Sequence, residues 1–407
     1  MTAIKPIVSL TLDLPPSCVA FCPTQPQYFV VGTYLLHHNG DHRVKSEVID
    51  AAEASDSARG VGPQRQLRSG SLELYQFQDD EIARIAVEPT PLYSVLDIEW
   101  APYRRPCGDL LAVATSTGSL AFYQLCPQGN RTQLAFKAQK QICDQSVLIL
   151  DLVWHPRQWD IIGVTLSDGR VCICQSNEGD PWSQATVLSL HTIITHSLEA
   201  WTLAFSSSST SPIEIISGGD DLLLQRASIS CETHEHALLW QDRRIHQAGV
   251  TAILALTSEL IVTGSYDDHI RLISAPSQKP RTVLADEDLG GGVWRLKALP
   301  PQIADAEPSA DAAISTLPTA GFPNGTLILA SCMHAGARLV RLSRDPETET
   351  WEFEVLARFE EHKSMNYGSD VQPQRGHWRT FVTTSFYDKL LCLWRYDLET
   401  AESGAVD

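Results

Sequence analysis

Residues 260–274 read LIVTGSYDDHIRLIS: two short apolar, β-branched runs on either side of the polar turn Tyr266-Asp267-Asp268. Neither run is long enough for a helix, and a tight polar turn between two such runs is the signature of a β-hairpin. The pattern recurs as LLAVATSTGSLAFYQL (110–125), IIGVTLSDGRVCIC (161–174), IEIISGGDDLLLQRAS (213–228), LILASCMHAGARLVRLS (327–343) and TFVTTSFYDKLLCLW (380–394). With the FVVGTYLL run at 29–36 there are seven hairpins.

Ahead of most hairpins stands a further short strand ending in an apolar residue and a turn: VAFCP (19–23), IEWAP (98–102), LVWHP (152–156), LAFSS (203–207), LALTS (254–258) and LKALP (296–300). Taking Phe21, Trp100, Trp154, Phe205, Leu256 and Ala298 as equivalent, the unit returns every 42 to 79 residues, the spacing of β-propeller blades with loops of varied length. The chain therefore reads as all-β, a seven-bladed propeller. The early IVSLTLDLP strand is expected to form the outer strand of the last blade, closing the ring so that no sheet edge stays open. One domain spans 1–407, with insertions at 39–70 and 301–324 expected to be disordered and a flexible tail at 398–407. The first insertion is rich in Ser, Ala, Arg, Asp and Gly, the second in Ala and Pro, and neither has enough apolar residues to fold alone.

Composition narrows the function. The 407 residues carry 31 Lys and Arg against 49 Asp and Glu, a net charge of −18, which argues against tracking nucleic-acid phosphates. No apolar run reaches the roughly 18 to 20 residues that cross a bilayer, and the N-terminus lacks the apolar segment of a secretory signal, so a cytoplasmic protein with no membrane contact is expected. The ten cysteines are scattered and form no CxxC pair, which speaks for reduced, buried thiols and against a metal or dithiol site.

In WD-type propellers a turn Asp, a His leading into the blade, a Ser or Thr in the second strand and a Trp in the third hydrogen-bond to one another and hold the blade. Asp388 with Trp394 fits that arrangement, and Asp268 with His246 fits it more loosely. Beyond this, the second half holds GSYDDHIRL (264–272), GGGVWRLK (290–297), ASCMHAG (330–336) and EHKSMNYGSD (361–370). In a propeller the loop between strands two and three and the loop leading into strand one open on the same rim. Tyr266, Asp267, Trp294, Arg295, His334, His362, Tyr367 and Asp370 are therefore expected to converge at one mouth of the central channel as a ligand surface. Gly290, Gly291 and Gly292 lack the Lys-Ser/Thr and helix of a nucleotide loop and suit close backbone approach instead.

These ordered motifs, with VGTYLL in the first blade, resemble the WD-repeat diphthine methylesterase family of diphthamide biosynthesis. The chain departs from the family pattern at Ala298-Leu299-Pro300 and at Val371, both blade-core positions. The resemblance implies a hydrolase without cofactor. Its substrate is elongation factor two carrying methylated diphthine, and its products are diphthine and methanol; a monomer is expected.

The substrate's trimethylammonium group suits Tyr266, Trp294, Tyr367, Asp267 and Asp370 as binding residues. For hydrolysis, His334 or His362 is a candidate base and Arg295 a candidate oxyanion partner, with Ser265, Ser331 and Cys332 as alternative nucleophiles. No GxSxG elbow occurs, so water activated by a histidine is preferred. The competing class is a non-catalytic scaffold docking a partner on the same face. A methyltransferase has less support, since no βαβ pattern with a Gly-rich turn is found.

Overall fold

The computed structural model describes residues 2–37, 66–102, 109–128, 131–176, 182–206, 211–230, 232–300, 325–374 and 376–399. Every element among them is a strand, and the strands form seven sheets, the blades of a propeller. From the channel outward, blade 1 is Pro16–Phe21, Tyr28–Thr33, Arg68–Gln78 and Glu81–Thr90, and blade 2 is Val95–Trp100, Asp109–Thr115, Ser119–Gln128 and Arg131–Gln141. Blade 3 is Ile149–Trp154, Ile161–Leu166, Arg170–Gln175 and Ser189–Thr195; blade 4 is Ala200–Phe205, Ile213–Gly219, Leu224–Ile229 and His236–Asp242. Blade 5 is Val250–Ala255, Leu260–Ser265, His269–Ser274 and Thr282–Asp288; blade 6 is Arg295–Ala298, Thr326–Ser331, Ala337–Arg344 and Trp351–Phe359. Blade 7 is Asn366–Val371, Trp378–Ser385 and Leu390–Asp397, completed by the N-terminal strand Val8–Thr11, as the sequence led us to expect. Thr2–Ala3 adds a short parallel strand outside blade 6.

The hairpins between second and third strands turn through left-handed residues: Gly118, Gly169, Leu222, Asp268 and Lys389 all have φ between 55° and 88°. Each inner strand touches the next, and the seventh touches the first. The core is divided accordingly into seven apolar clusters, one between each pair of neighbouring blades. Trp100 and Trp154, which end the inner strands of blades 2 and 3, reach back to the preceding blade, their indole N–H groups donating to the carbonyls of Ala20 (3.3 Å) and Glu99 (3.2 Å).

Three boundaries differ from the sequence reading. The inner strand of blade 5 ends at Ala255, so the residue equivalent to Trp154 is Ala255 rather than Leu256. The first insertion ends sooner than Gly70, because Arg68–Gln78 pairs with both Tyr28–Thr33 and Leu35–Leu36. Leu398 is buried in the apolar cluster between blades 6 and 7 and does not belong to a tail. The remainder of the two expected insertions and of the tail, from 400 on, lies outside the described residues.

The inner strands share one irregularity that positions the site. In blades 1, 2, 3, 4, 5 and 7 their register with the second strand slips by one residue after the first position, a β-bulge. A bulge leaves one residue out of the ladder and re-aims its side chain. In blade 4 that residue is Trp201 and in blade 7 Tyr367, while Trp294 holds the matching position in blade 6, just before its inner strand.

Candidate functional site

Trp201, Trp294 and Tyr367 face one another at the mouth of the channel, joined by Tyr266 from the blade 5 hairpin. Ring centroids are 5.4 Å apart for Trp201 and Trp294, 6.1 Å for Tyr266 and Trp294, and 5.1 Å for Trp294 and Tyr367. All four residues are half-buried. The arc continues through Phe386, 5.7 Å from Tyr367, to Tyr34, 6.1 Å from Phe386. Gly291 permits the close packing of this rim, since a Cβ there would lie 2.5 Å from the Cys332 carbonyl oxygen. Burial raises the phenols of Tyr266 and Tyr367, which therefore stay neutral and act as aromatic faces rather than bases.

Two carboxylates attend the cage. Asp220 accepts the Trp201 indole N–H at 3.2 Å, and both Asp220 and Glu199 act electrostatically on Tyr266.

Below the rings, Arg295 lies beside the Trp294 ring, 5.5 Å from its centroid, and reaches across the channel from blade 6. Its Nη2 is 3.5 Å from Asp97 Oδ1 of blade 2 and its Nη1 is 3.7 Å from Asp151 Oδ1 of blade 3. Arg295 keeps 23% of its side chain exposed, whereas Asp97 and Asp151 are buried. Burial works against the Arg295 charge, but Asp97 and Asp151 outweigh it and keep the guanidinium protonated. Burial drives Asp97 well above the usual carboxylate range, opposed by Arg295 and reinforced by Asp151.

One layer deeper stand Glu99, Lys297 and Asp370. Lys297 Nζ is 2.5 Å from Asp370 Oδ1, and burial pushes Glu99 up to about 8.

Of the residues singled out in the sequence, the structure thus assembles Tyr266, Trp294, Arg295 and Tyr367. Three others are engaged elsewhere. Asp267 pairs with Arg271 at 2.9 Å and accepts the Gln247 backbone N–H at 2.8 Å, so it, rather than Asp268, is the turn carboxylate that ties down blade 5. His362 is buried, bonded through Nε2 to Thr383 Oγ1 at 2.8 Å, and Trp394 donates its indole N–H to the same hydroxyl. This is the blade-holding network expected for Asp388 and Trp394, and it removes His362 from the channel. Asp370 is buried, its Oδ2 accepting the Phe21 N–H of blade 1 at 2.7 Å, which makes it a clasp between blades.

His334 sits exposed on the blade 6 hairpin, whose Met333 bridges to Asn366. The structure gives it no partner in the cage. Ser265 and Ser331 are buried in their blades, and burial pushes the Cys332 thiol up to about 12, far from a thiolate. The sequence reading missed Trp201, Asp97, Asp151 and Asp220. EAWTLAF looks like any inner strand, and the only signal was a Trp where blades 1, 2, 3 and 5 carry Ser, Leu, Leu and Thr.

Among the described residues one group has metal-ligand spacing, His377, Asp397 and Glu399, with donor atoms within 4.8 Å of one another. It lies at the opposite end of blade 7 from the mouth, where the second strand begins and the third ends.

No family model matches the chain. It is 30% identical over 403 residues to the diphthine methyltransferase of Schizosaccharomyces pombe, covering 97% of this chain and 98% of that protein. It is 26% identical over 371 residues to the diphthine methyltransferase of Homo sapiens, covering 88% of this chain and 72% of the relative. The Saccharomyces cerevisiae protein of the same name is 26% identical over 376 residues, covering 80% of this chain and 88% of the relative. Similarity that runs the length of both chains across a ring of seven mutually dependent blades is similarity of the whole fold, and the chain belongs to the diphthine methyltransferase family.

Proposed function

We propose that this protein acts in diphthamide biosynthesis as a hydrolase, removing the methyl ester of methylated diphthine on elongation factor two to give diphthine and methanol. The observation that carries the reading is the juxtaposition at the channel mouth: a contiguous cluster of half-buried aromatic rings beside a guanidinium. A trimethylammonium group is attracted by aromatic faces, Trp best of all. The Asp220 and Glu199 carboxylates add to that attraction. The ester that accompanies the cation then falls toward Arg295, whose charge stabilises the oxyanion formed when water adds to the carbonyl. The name of the relatives describes methyl transfer; water as acceptor is preferred because every described element is a strand, leaving no place among them for the βαβ turn that seats a nucleotide-like donor.

The test is mass spectrometry of elongation factor two bearing methylated diphthine, incubated with this protein alone. Loss of the ester methyl with release of methanol is expected. An intact ester in a stable complex of the two proteins rejects catalysis and leaves a docking role for the same face.

A further inference from the structure

Asp97 and Asp151 hold the same position in the inner strands of adjacent blades, the third residue, immediately after the bulge. Each is fixed in the same way by the blade that follows. Asp97 Oδ2 accepts the Leu152 N–H at 3.3 Å, and Asp151 Oδ2 accepts the Leu203 N–H at 3.2 Å. In both, Oδ1 is the oxygen turned to Arg295. Two buried carboxyls thus meet on one guanidinium beside the aromatic cluster. A single positive charge cannot balance two buried negative ones, and like charges this close do not both ionise.

We propose that Asp97 and Asp151 are the acid–base pair of this site, holding one proton between them and activating the water that attacks the substrate ester. The assignment rests on the hydrolytic reading above. In the step it describes, a water oxygen bonds to the ester carbonyl carbon while the ionised member of the pair takes one water proton. The carbonyl π electrons pass to oxygen, whose charge Arg295 holds. When the carbonyl re-forms, the carbon–methoxy bond breaks and the Asp97 proton goes to the departing methoxide, giving methanol. The product acid releases its proton to solvent, and the proton taken from water restores the pair. The groups facing Asp97 are Asp151, Arg295 and Cys18, with Glu99 and Lys297 one layer deeper.

Asp97→Asn and Asp151→Asn keep an oxygen for the Leu152 and Leu203 N–H groups but cannot shuttle the proton. Both are expected to lower kcat at least about 100-fold while KM changes by less than about threefold. The wild-type pH profile is expected to be bell-shaped, because only the singly protonated pair works, and the residual activity of either variant to follow a single ionisation. Glu99→Gln is the control. Glu99 lies in the same strand and accepts the Trp154 N–H at 2.8 Å, yet makes no ion pair with Arg295, and its variant should turn over like the wild type.

Should an Asn variant fail to fold, infrared spectroscopy of wild-type protein labelled at aspartate carboxyls must still show a carboxylic-acid stretch at neutral pH. Its absence overturns the pair. Near-normal turnover in Asp97→Asn, or an equal loss in Glu99→Gln, also overturns it while leaving the hydrolytic reading intact. A wild-type protein that releases no methanol from the modified factor overturns that reading and this assignment with it.

Discussion

Trp294 touches more of the mouth than any other residue there: it contacts Trp201, Tyr266 and Tyr367 and lies beside Arg295. If the cage holds a quaternary cation, Trp294→Ala should forfeit about 2 kcal/mol, some 30-fold in KM, with kcat changed far less. The readout that isolates the cation is the same comparison with a substrate lacking the trimethylammonium group. An equal penalty on both substrates would sink the cage. His334→Ala, by contrast, should keep turnover within about threefold, because its exposed imidazole sits on a hairpin and has no partner among the caged groups; a variant with no activity would return the histidine to the mechanism. The difference between Trp294 and His334 shows what the sequence made legible. Large aromatics that the sequence pattern puts in loops have no packing role to explain them, so Tyr266, Trp294 and Tyr367 stood out. A histidine beside a turn fits both a site and a blade latch, and His362 proved to be a latch. Asp97 and Asp151 were hidden for another reason: in IEW- and LVW-type strands an alternating carboxylate reads as a solvent-facing residue, and only closure of the ring sets it against an arginine almost 200 or 150 residues further along the chain.

At the scale of the blade, the buried histidines make stability depend on pH. Burial lowers His246 and His362 from an ordinary value of 6.5 to about 4, and each donates or accepts one bond to a second-strand threonine, Thr263 at 2.9 Å and Thr383 at 2.8 Å. The folded protein prefers both rings neutral, whereas the unfolded chain protonates them below about pH 6.5. Their contribution is therefore whole above pH 6.5 and is lost progressively toward pH 4, at most roughly 3 kcal/mol per ring. Thermal unfolding should show a falling transition temperature across that window, shallower in His362→Gln; a flat profile in the wild type would contradict the latch. Glu99 has the opposite sign. Its carboxyl is raised from 4.5 to about 8, so its contribution is present below pH 4.5 and declines as pH rises through 8. Glu99→Gln should accordingly raise the transition temperature at pH 8 and give no gain near pH 4.5, and equal shifts at both values would rule out the ionisation as the cause. Hairpins were the most legible part of the fold, because their turns demand left-handed residues between β-branched runs. The strand before each hairpin was less so. Its end shifted by one residue in blade 5, where Ala255 and Leu256 are both apolar and no aromatic marks the position.

For the whole molecule, closure decides whether seven weakly separate sheets behave as one body. The ring is sealed in blade 7, where Val8–Thr11 pairs with Leu390–Asp397 and the Ile7 and Leu12 backbone N–H groups donate to the carbonyls of Leu393 (2.7 Å) and Lys389 (2.8 Å). Val8 and Leu10 pack on the cluster that joins blade 7 to blade 1 through Leu391, Leu393, Phe29 and Tyr75. The same closure holds the mouth in register, since Tyr367 belongs to blade 7, Tyr34 follows the second strand of blade 1, and Asp370 clasps Phe21 across that joint. Removing residues 1–11 would leave Leu390–Asp397 as a bare apolar edge, a template for pairing with other chains. The truncated protein should unfold several degrees lower and self-associate on light scattering, and it should lose affinity for the proposed trimethylated substrate before it loses its β-sheet signal in circular dichroism. The order of those losses is the decisive part, because a seal that only adds stability would leave binding intact in every molecule still folded. A truncated protein that stays monodisperse, with unchanged unfolding temperature and unchanged KM, would show that the seven apolar interfaces hold the ring without the seal.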